Sequence, residues 1–156
     1  MRFICDVMLG KLSKYLRVLG LDTVCIEAME DLSQYTSEKK LQFFLTKRGP
    51  HKVLYRNSIY IKSNRVIDQL IEIKDIILPH ISATTLMNRC IRCNTVLNDV
   101  KKADIEGLVP EFIFHKHDVF KACPSCNKVY WEGSHVAHIN KWVKKITELT
   151  GGIGGR

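Results

Sequence analysis

Read by its hydrophobic pattern, the chain is an α/β protein. A mainly parallel sheet with flanking helices comes first, followed by a small four-cysteine module and a terminal helix. Three observations predict this. Short apolar runs alternate with amphipathic ones through the first half, the pattern of strands joined by crossover helices. Cys90-Ile91-Arg92-Cys93 is answered after 29 residues by Cys123-Pro124-Ser125-Cys126. At 156 residues and 46% hydrophobic content, the chain can bury one modest core plus a small appended unit, but not three units.

Residues 2–7 (RFICDV) read as a strand buried on both faces, with Asp6 at its carboxyl end. Ligand sites of open α/β sheets gather at the carboxyl ends of strands, which makes Asp6 a candidate for chemistry; the competing reading is a helix N-cap. Residues 9–19 follow as an amphipathic helix. Leu9, Leu12, Leu16 and Leu19 share one sector, Lys11, Lys14 and Arg17 another, and Gly20 is a C-cap. The basic stripe is either a solvated face or, because it begins soon after Asp6, a place for a phosphate. Residues 23–27 read as a second strand, 31–40 as a polar helix opened by Glu30 and Asp31, and 42–46 as a third strand. A fourth strand is expected at 58–62, and a helix at 65–75 burying Val66, Ile67, Leu70 and Ile73.

This places an α/β domain at residues 1–80, a linker at 79–85 and a second module at 86–150. Strand-like runs in the second module fall at 95–100, 111–115 and 128–131. A helix is expected at 136–149, with Val136, Ile139, Val143 and Ile146 on one face, able to pack on either module. The segment 150–156 (TGGIGGR) reads as flexible.

Two CxxC pairs at this spacing read as a zinc ribbon, because each knuckle turns two sulfurs toward one point and two knuckles complete a tetrahedron. Paired disulfides are the alternative, disfavoured by the vicinal pairs and by the lack of a secretory pattern at the N-terminus. Four thiolates from Cys90, Cys93, Cys123 and Cys126 leave no open coordination position, so such a Zn2+ ion is structural and chemistry must lie elsewhere. Cys5 and Cys25, in apolar strand-like surroundings, read as buried reduced thiols.

The formal charge is +8, which favours a polyanionic partner such as RNA, DNA or an anionic membrane surface. Between residues 39 and 67 stand Lys39, Lys40, Lys47, Arg48, Lys52, Arg56, Lys62 and Arg65, with no acid among them. This acid-free stretch is the best candidate for a phosphate-binding surface. The longest stretch free of charged side chains, residues 76–88, contains Pro79 and His80 and falls short of the about 18 residues a bilayer span needs. A soluble cytoplasmic protein is the expectation.

Several runs in this sequence resemble the Mut-seven C-terminal ribonuclease domain family, a branch of the PIN-like nucleases carrying a C-terminal zinc ribbon. They are residues 3–17 (FICDVMLGKLSKYLR) with Leu19-Gly20-Leu21-Asp22-Thr23, then Leu45-Thr46, residues 89–94 (RCIRCN) with Leu97, Val109-Pro110, and residues 123–135 (CPSCNKVYWEGSH). The resemblance covers about residues 3 to 140. It implies a PIN-like α/β fold in which acids at strand ends bind one or two Mg2+ or Mn2+ ions and hydrolyse RNA phosphodiesters. Asp6 matches the family's first acid and Asp31 the acid opening the second helix. Asp22 matches a further recurrent acid, as readily structural as catalytic. The family's third strand ends Leu-Thr-Arg-Asp, whereas this chain reads Leu45-Thr46-Lys47-Arg48. An arginine stands where the last acid belongs, and its charge repels a metal cation.

Three classes of function follow. The first is a Mg2+- or Mn2+-dependent ribonuclease using Asp6 and Asp31, joined by Asp22 or Glu30, with Lys11, Lys14 and Arg17 positioning phosphate. The second is a degenerate relative that binds RNA without cutting it, through Lys47, Arg48, Lys52 and their basic neighbours. The third is an adaptor using the ribbon for a protein partner or a homo-oligomer. The histidines invite plain readings: His135 as a hydrogen-bonding or RNA-contacting residue beside a zinc already filled by sulfur, His115 and His117 as surface residues on a strand edge. Tyr130 and Trp131 either stack on bases or pack the ribbon core, the latter favoured.

Overall fold

Phe3, Ile4 and Cys5 are consecutive and all buried, as in a strand covered on both faces. In the computed structural model of the protein, they lie in β1 (Arg2–Asp6), an inner strand of a four-stranded sheet. The structure describes residues 1–36, 40–49, 55–82 and 84–149. Strands β2 (Thr23–Ile26), β3 (Gln42–Thr46) and β4 (Ser58–Tyr60) complete the sheet in the order β2-β1-β3-β4, every pair parallel. The register sets Asp6 opposite Ile26, Cys5 opposite Leu45 and Thr46 opposite Tyr60.

Alternation along the strands divides the core between two faces. On one, Phe3, Cys5 and Leu45 pack under Leu12 and Leu16 of α1 (Gly10–Val18) and Leu70 of α3 (Val66–Glu72). On the other, Ile4, Ile26 and Phe44 pack against Leu32, which ends a 3-10 turn (Met29–Leu32) leading into α2 (Ser33–Thr36). Of the polar helix expected at 31–40, residues 31–36 complete the 3-10 turn and form the helical turn α2, while residues 37–39 lie outside the described residues. The helix expected at 65–75 divides at Ile73 into α3 and α4 (Lys74–Ile77).

A second, antiparallel sheet follows, in the order β5 (Asn98–Val100), β6 (Phe120–Ala122), β7 (Val129–Trp131). Its core is Ile105, Val109, Ile113, Phe120 and Val129. The strand expected at 111–115 is instead a helix, α5 (Glu111–Lys116), entered from Pro110 in an extended conformation. Ile113 turns inward while Phe112 stays exposed, and in so short a run apolar spacing cannot separate strand from helix. His115 therefore lies on a helix and not on a strand edge, 3.8 Å from Glu111 one turn earlier. The last helix, α6 (Ser134–Leu149), returns to the first sheet: Ile139 joins the core beneath α1 and α3, with Trp142 and Val143 packed against it.

The two sheets meet along a polar seam. Arg17, on α1, donates from Nε to the Thr23 carbonyl (2.9 Å) and from Nη1 to the carbonyls of Ile91 (2.7 Å) and Arg92 (3.0 Å). Arg89 reaches the Gly20 carbonyl (3.3 Å) and the Met87 amide reaches the Val18 carbonyl (2.8 Å). Gly20 has a φ of +83°, and a Cβ there would lie 1.9 Å from the Thr85 carbonyl oxygen, so the close approach of the two segments requires glycine. Asp22 accepts from Arg2 Nε (3.1 Å) and from Asn94 Nδ2 (2.7 Å), while Asn94 Oδ1 accepts the Thr23 amide (3.0 Å).

Burial alone would raise the pKa of Asp22, but the Asn94 hydrogen bond and the Arg2 and Arg89 charges outweigh it and hold the carboxyl below its ordinary 3.8. A depressed folded-state value means that the stabilisation is complete above the unfolded pKa and is lost as pH falls through the folded one. Asp22→Asn is therefore expected to cost about 1.5–3 kcal/mol at pH 7. The gap from wild type should narrow below about pH 4 in urea denaturation followed by circular dichroism.

Candidate functional site

Asp6 closes β1 and is only 3% exposed. Its carboxylate is held from both neighbouring loops. Oδ1 accepts the Met8 amide (2.8 Å), capping the 3-10 turn Val7–Leu9; Oδ2 accepts the Thr46 hydroxyl (2.5 Å) and the Lys47 amide (2.9 Å). The capping reading and the strand-end reading of Asp6 are thus both realised. Thr46 in turn accepts the Arg48 amide on its Oγ1 (2.9 Å). A carboxylate offers about four lone-pair directions. These bonds occupy three, so Oδ1 keeps one in reserve.

Asp31 lies on the same side of the sheet, flanked by Met29 and Leu32 of the Ile4–Ile26–Phe44 cluster. Its Oδ2 accepts the Ala28 amide (3.2 Å) and its Oδ1 the Gln34 side chain (3.4 Å). Asp22 lies at the other end: it precedes β2, and its carbonyl receives the Phe3 amide. Three residues separate the level of Phe3 from that of Asp6, about 10 Å along the strand. Asp22 thus belongs to the seam and not to the carboxyl edge. Among the described residues no trio of acids or histidines converges within 4.8 Å, and no ion pair joins Arg48 to Asp6 or Asp31.

The basic residues separate into three groups. Lys11, Lys14 and Arg48 are exposed. Arg17, expected on the same stripe, commits three of its donors to the seam carbonyls, which its guanidinium reaches across the helix end. Lys47 bridges strand exits: its ammonium donates to the Ser63 carbonyl (2.9 Å) and to Asn64 Oδ1. Lys52, the side chain of His135 and the segment 150–156 lie outside the described residues.

Cys90, Cys93, Cys123 and Cys126 converge, their sulfurs all within 4.8 Å of one another. The Cys90–Cys126 separation of 3.7 Å is that of two corners of a tetrahedron with metal–sulfur bonds of about 2.3 Å. The donor set therefore fits a metal ion such as zinc. Both knuckles end alike. Asn94 and Asn127 follow the second cysteine of each pair with φ of 62° and 59°, and each amide returns to the carbonyl of the first cysteine, at 2.9 and 2.8 Å. Asparagine tolerates this left-handed conformation better than other side chains. An asparagine after each pair was a sequence signal that the cysteine spacing alone does not use.

Tyr130 is buried among the cluster's cysteines, as favoured from its sequence context. Its hydroxyl accepts the Ile91 amide (3.1 Å), which leaves its proton for Cys90 Sγ (3.1 Å). Burial pulls the Cys90 thiol upward, but this hydroxyl and the Cys93 and Arg92 amides outweigh it and bring the pKa down to about 6. Cys5 and Cys25 differ from expectation in one respect. Cys5 is buried, and burial pushes its thiol well up, but its register partner Cys25 is exposed.

Fold and site together define a parallel α/β protein with an anchored carboxylate at the carboxyl end of its sheet and a four-thiol cluster docked at the opposite end. Residues 1–143 match the family described as Mut7-C RNAse domain, and the chain belongs to that family. No curated protein and no solved structure matches it significantly. Among the described residues no helix is long and apolar enough to cross a membrane.

Removing the Tyr130 hydroxyl takes a hydrogen bond from a sulfur of the four-cysteine cluster. Tyr130→Phe is expected to weaken Zn2+ binding about 10- to 100-fold in competition with a chromophoric chelator, with the fold retained.

Proposed function

We propose that the protein is a metal-dependent endoribonuclease of the PIN-like class, hydrolysing RNA phosphodiester bonds at the carboxyl end of the four-stranded sheet. Residues 1–80 form the catalytic unit in this reading, and residues 86–150 an accessory module stabilised by Zn2+. The observation that carries it is the state of Asp6: a nearly buried carboxylate, fixed by three hydrogen bonds from two loops, with one lone pair left on Oδ1. A carboxylate so immobilised cannot swing to meet an ion, so its orientation is set before any ion arrives.

Asp31, on the same face, is the second candidate ligand. A Mg2+ ion that keeps several waters needs only one or two carboxylates, so the residues present fit a single hydrated Mg2+ or Mn2+ ion and not a cage of three acids. When bound, such an ion supplies a more acidic water and a charge that neutralises the phosphoryl oxygens. The chain supplies the rest. Asp6 orients the site, the Thr46 hydroxyl and Lys47 amide hold Asp6, and the exposed Lys11 and Lys14 on α1, together with the side chain of Arg48, attract the phosphate backbone. Reduced thiols at Cys5 and Cys25 suit a cytoplasmic setting.

A second reading, RNA binding without cleavage, is favoured by one residue. Arg48 brings a cation, exposed and unpaired with either acid, to the position where the family carries its last carboxylate. Manganese titration of a labelled single-stranded RNA separates the two. Nuclease action predicts Mn2+-dependent products that Asp6→Asn reduces at least about 100-fold. Salt-sensitive RNA binding without products, coupled to cleavage appearing in Arg48→Asp, supports the second reading and overturns the first.

A further inference from the structure

The parallel register places one row of residues across the carboxyl end of the sheet. Asp6 on β1 lies beside Thr46 on β3, one residue beyond the Cys5–Leu45 pair, and Thr46 lies opposite Tyr60 on β4. The contact between Thr46 and Asp6 confirms the row, and Tyr60 ends it at the sheet's edge, since β4 pairs with β3 alone. Residues in one row of a sheet point to one face. Tyr60 therefore stands on the face that presents Asp6, two strand spacings away, or about 10 Å, equal to about three stacked base steps.

Tyr60 is 36% exposed, and its hydroxyl has no hydrogen-bond partner among the described residues. An aromatic ring at a strand end, neither packed into a core nor tied by its hydroxyl, is free to present a π face. The residues beside it are cationic. Lys62 lies two residues past Tyr60 and Arg48 two residues past Thr46, both exposed and both leaving the carboxyl end of the sheet. The turn that carries Lys62 is fixed, because Glu72 accepts the amides of Lys62 (2.9 Å) and Ser63 (2.7 Å), and Lys47 ties its own strand exit to the same turn. The 3-10 turn that follows Asp6 exposes Val7 (48%) and Met8 (58%), a second apolar surface. The acid thus has apolar surface near it that suits nucleobases, in a field that suits phosphates.

We propose that Tyr60 is a base-stacking platform for single-stranded RNA, with Arg48 and Lys62 holding the flanking phosphates so that the strand leads to Asp6. This deepens the ribonuclease reading and rests on it for the identity of the polyanion. The occupant is single-stranded because a ring at a sheet edge can stack only on a base that is not already paired and stacked within a duplex. Tyr130 cannot play this part, since it is buried and its hydroxyl is committed to Cys90 and Ile91. Trp131, beside it, lies at the other sheet.

The test uses the full chain without added Mg2+ or Mn2+, so that no cleavage intervenes. An RNA oligonucleotide carrying 2-aminopurine is titrated with wild type, Tyr60→Phe and Tyr60→Ala, in parallel with the same sequence as a duplex. Stacking predicts fluorescence quenching by wild type and Tyr60→Phe. Tyr60→Ala should lose the quenching and bind about tenfold more weakly, with the duplex bound equally by all three proteins. Equal quenching and affinity for Tyr60→Ala overturns the platform while leaving the RNA reading intact. Failure of wild type to bind either RNA overturns both. Matching circular dichroism melts for the three proteins tie any loss to the ring and not to unfolding.

Discussion

The guanidinium of Arg17 joins what would otherwise be two small structures. It leaves α1 near its C-terminal end and donates to Thr23 at the start of β2 and to Ile91 and Arg92 inside the first cysteine knuckle. Charge-assisted hydrogen bonds of this kind contribute about 1.5–3 kcal/mol each, and a lysine could not reproduce the planar fork. Around this contact the seam is redundant in chemistry but not in geometry. Asn94 meets both Asp22 and Thr23, Arg89 meets Gly20, and glycine at position 20 lets Thr85 approach. The helix that begins just after Asp6 is therefore pinned at its far end by the four-cysteine module.

That arrangement gives the cysteine cluster a meaning beyond its own sheet. The knuckle that presents Cys90 and Cys93 also presents the carbonyls that Arg17 reads and the Asn94 side chain that Asp22 reads. Anything that orders the four sulfurs orders those acceptors too. At the opposite end of the sheet, three hydrogen bonds fix Asp6, and parallel pairing carries its row outward through Thr46 to the edge. One end of the sheet is thus closed by the docked module, and the other is basic and carries the anchored acid. The return of α6 to the α1 and α3 layer closes the same unit from outside.

The sequence revealed what depends on periodicity and spacing. The buried run of β1, the leucine face of α1, the bounds of β3 and the convergence of the four cysteines all follow from local pattern, and each is found. What it concealed depends on partners distant in sequence. Arg17 falls on the same helical stripe as Lys11 and Lys14, and nothing local distinguishes it; only the knuckle more than seventy residues later shows that its charge is spent inward. Asp22 and Asp6 are equally acidic and both border strands, yet one starts a strand and the other ends one, which puts them at opposite ends of the sheet. Residues 111–116 were unreadable because a six-residue helix and a short strand can bury Ile113 equally well. The weight of Arg48, by contrast, was legible at once as a missing acid, and the structure adds that its amide still supports the Thr46–Asp6 pair.

Arg17 couples the knuckle to the parallel sheet. Hydrogen–deuterium exchange of Arg17→Ala against wild type tests it directly. Coupling predicts faster amide exchange at both contacts of the lost guanidinium, around Cys90–Asn94 and around Gly20–Thr23, with the interior of β3 unchanged. Acceleration confined to α1, with the knuckle amides protected as in wild type, would contradict it.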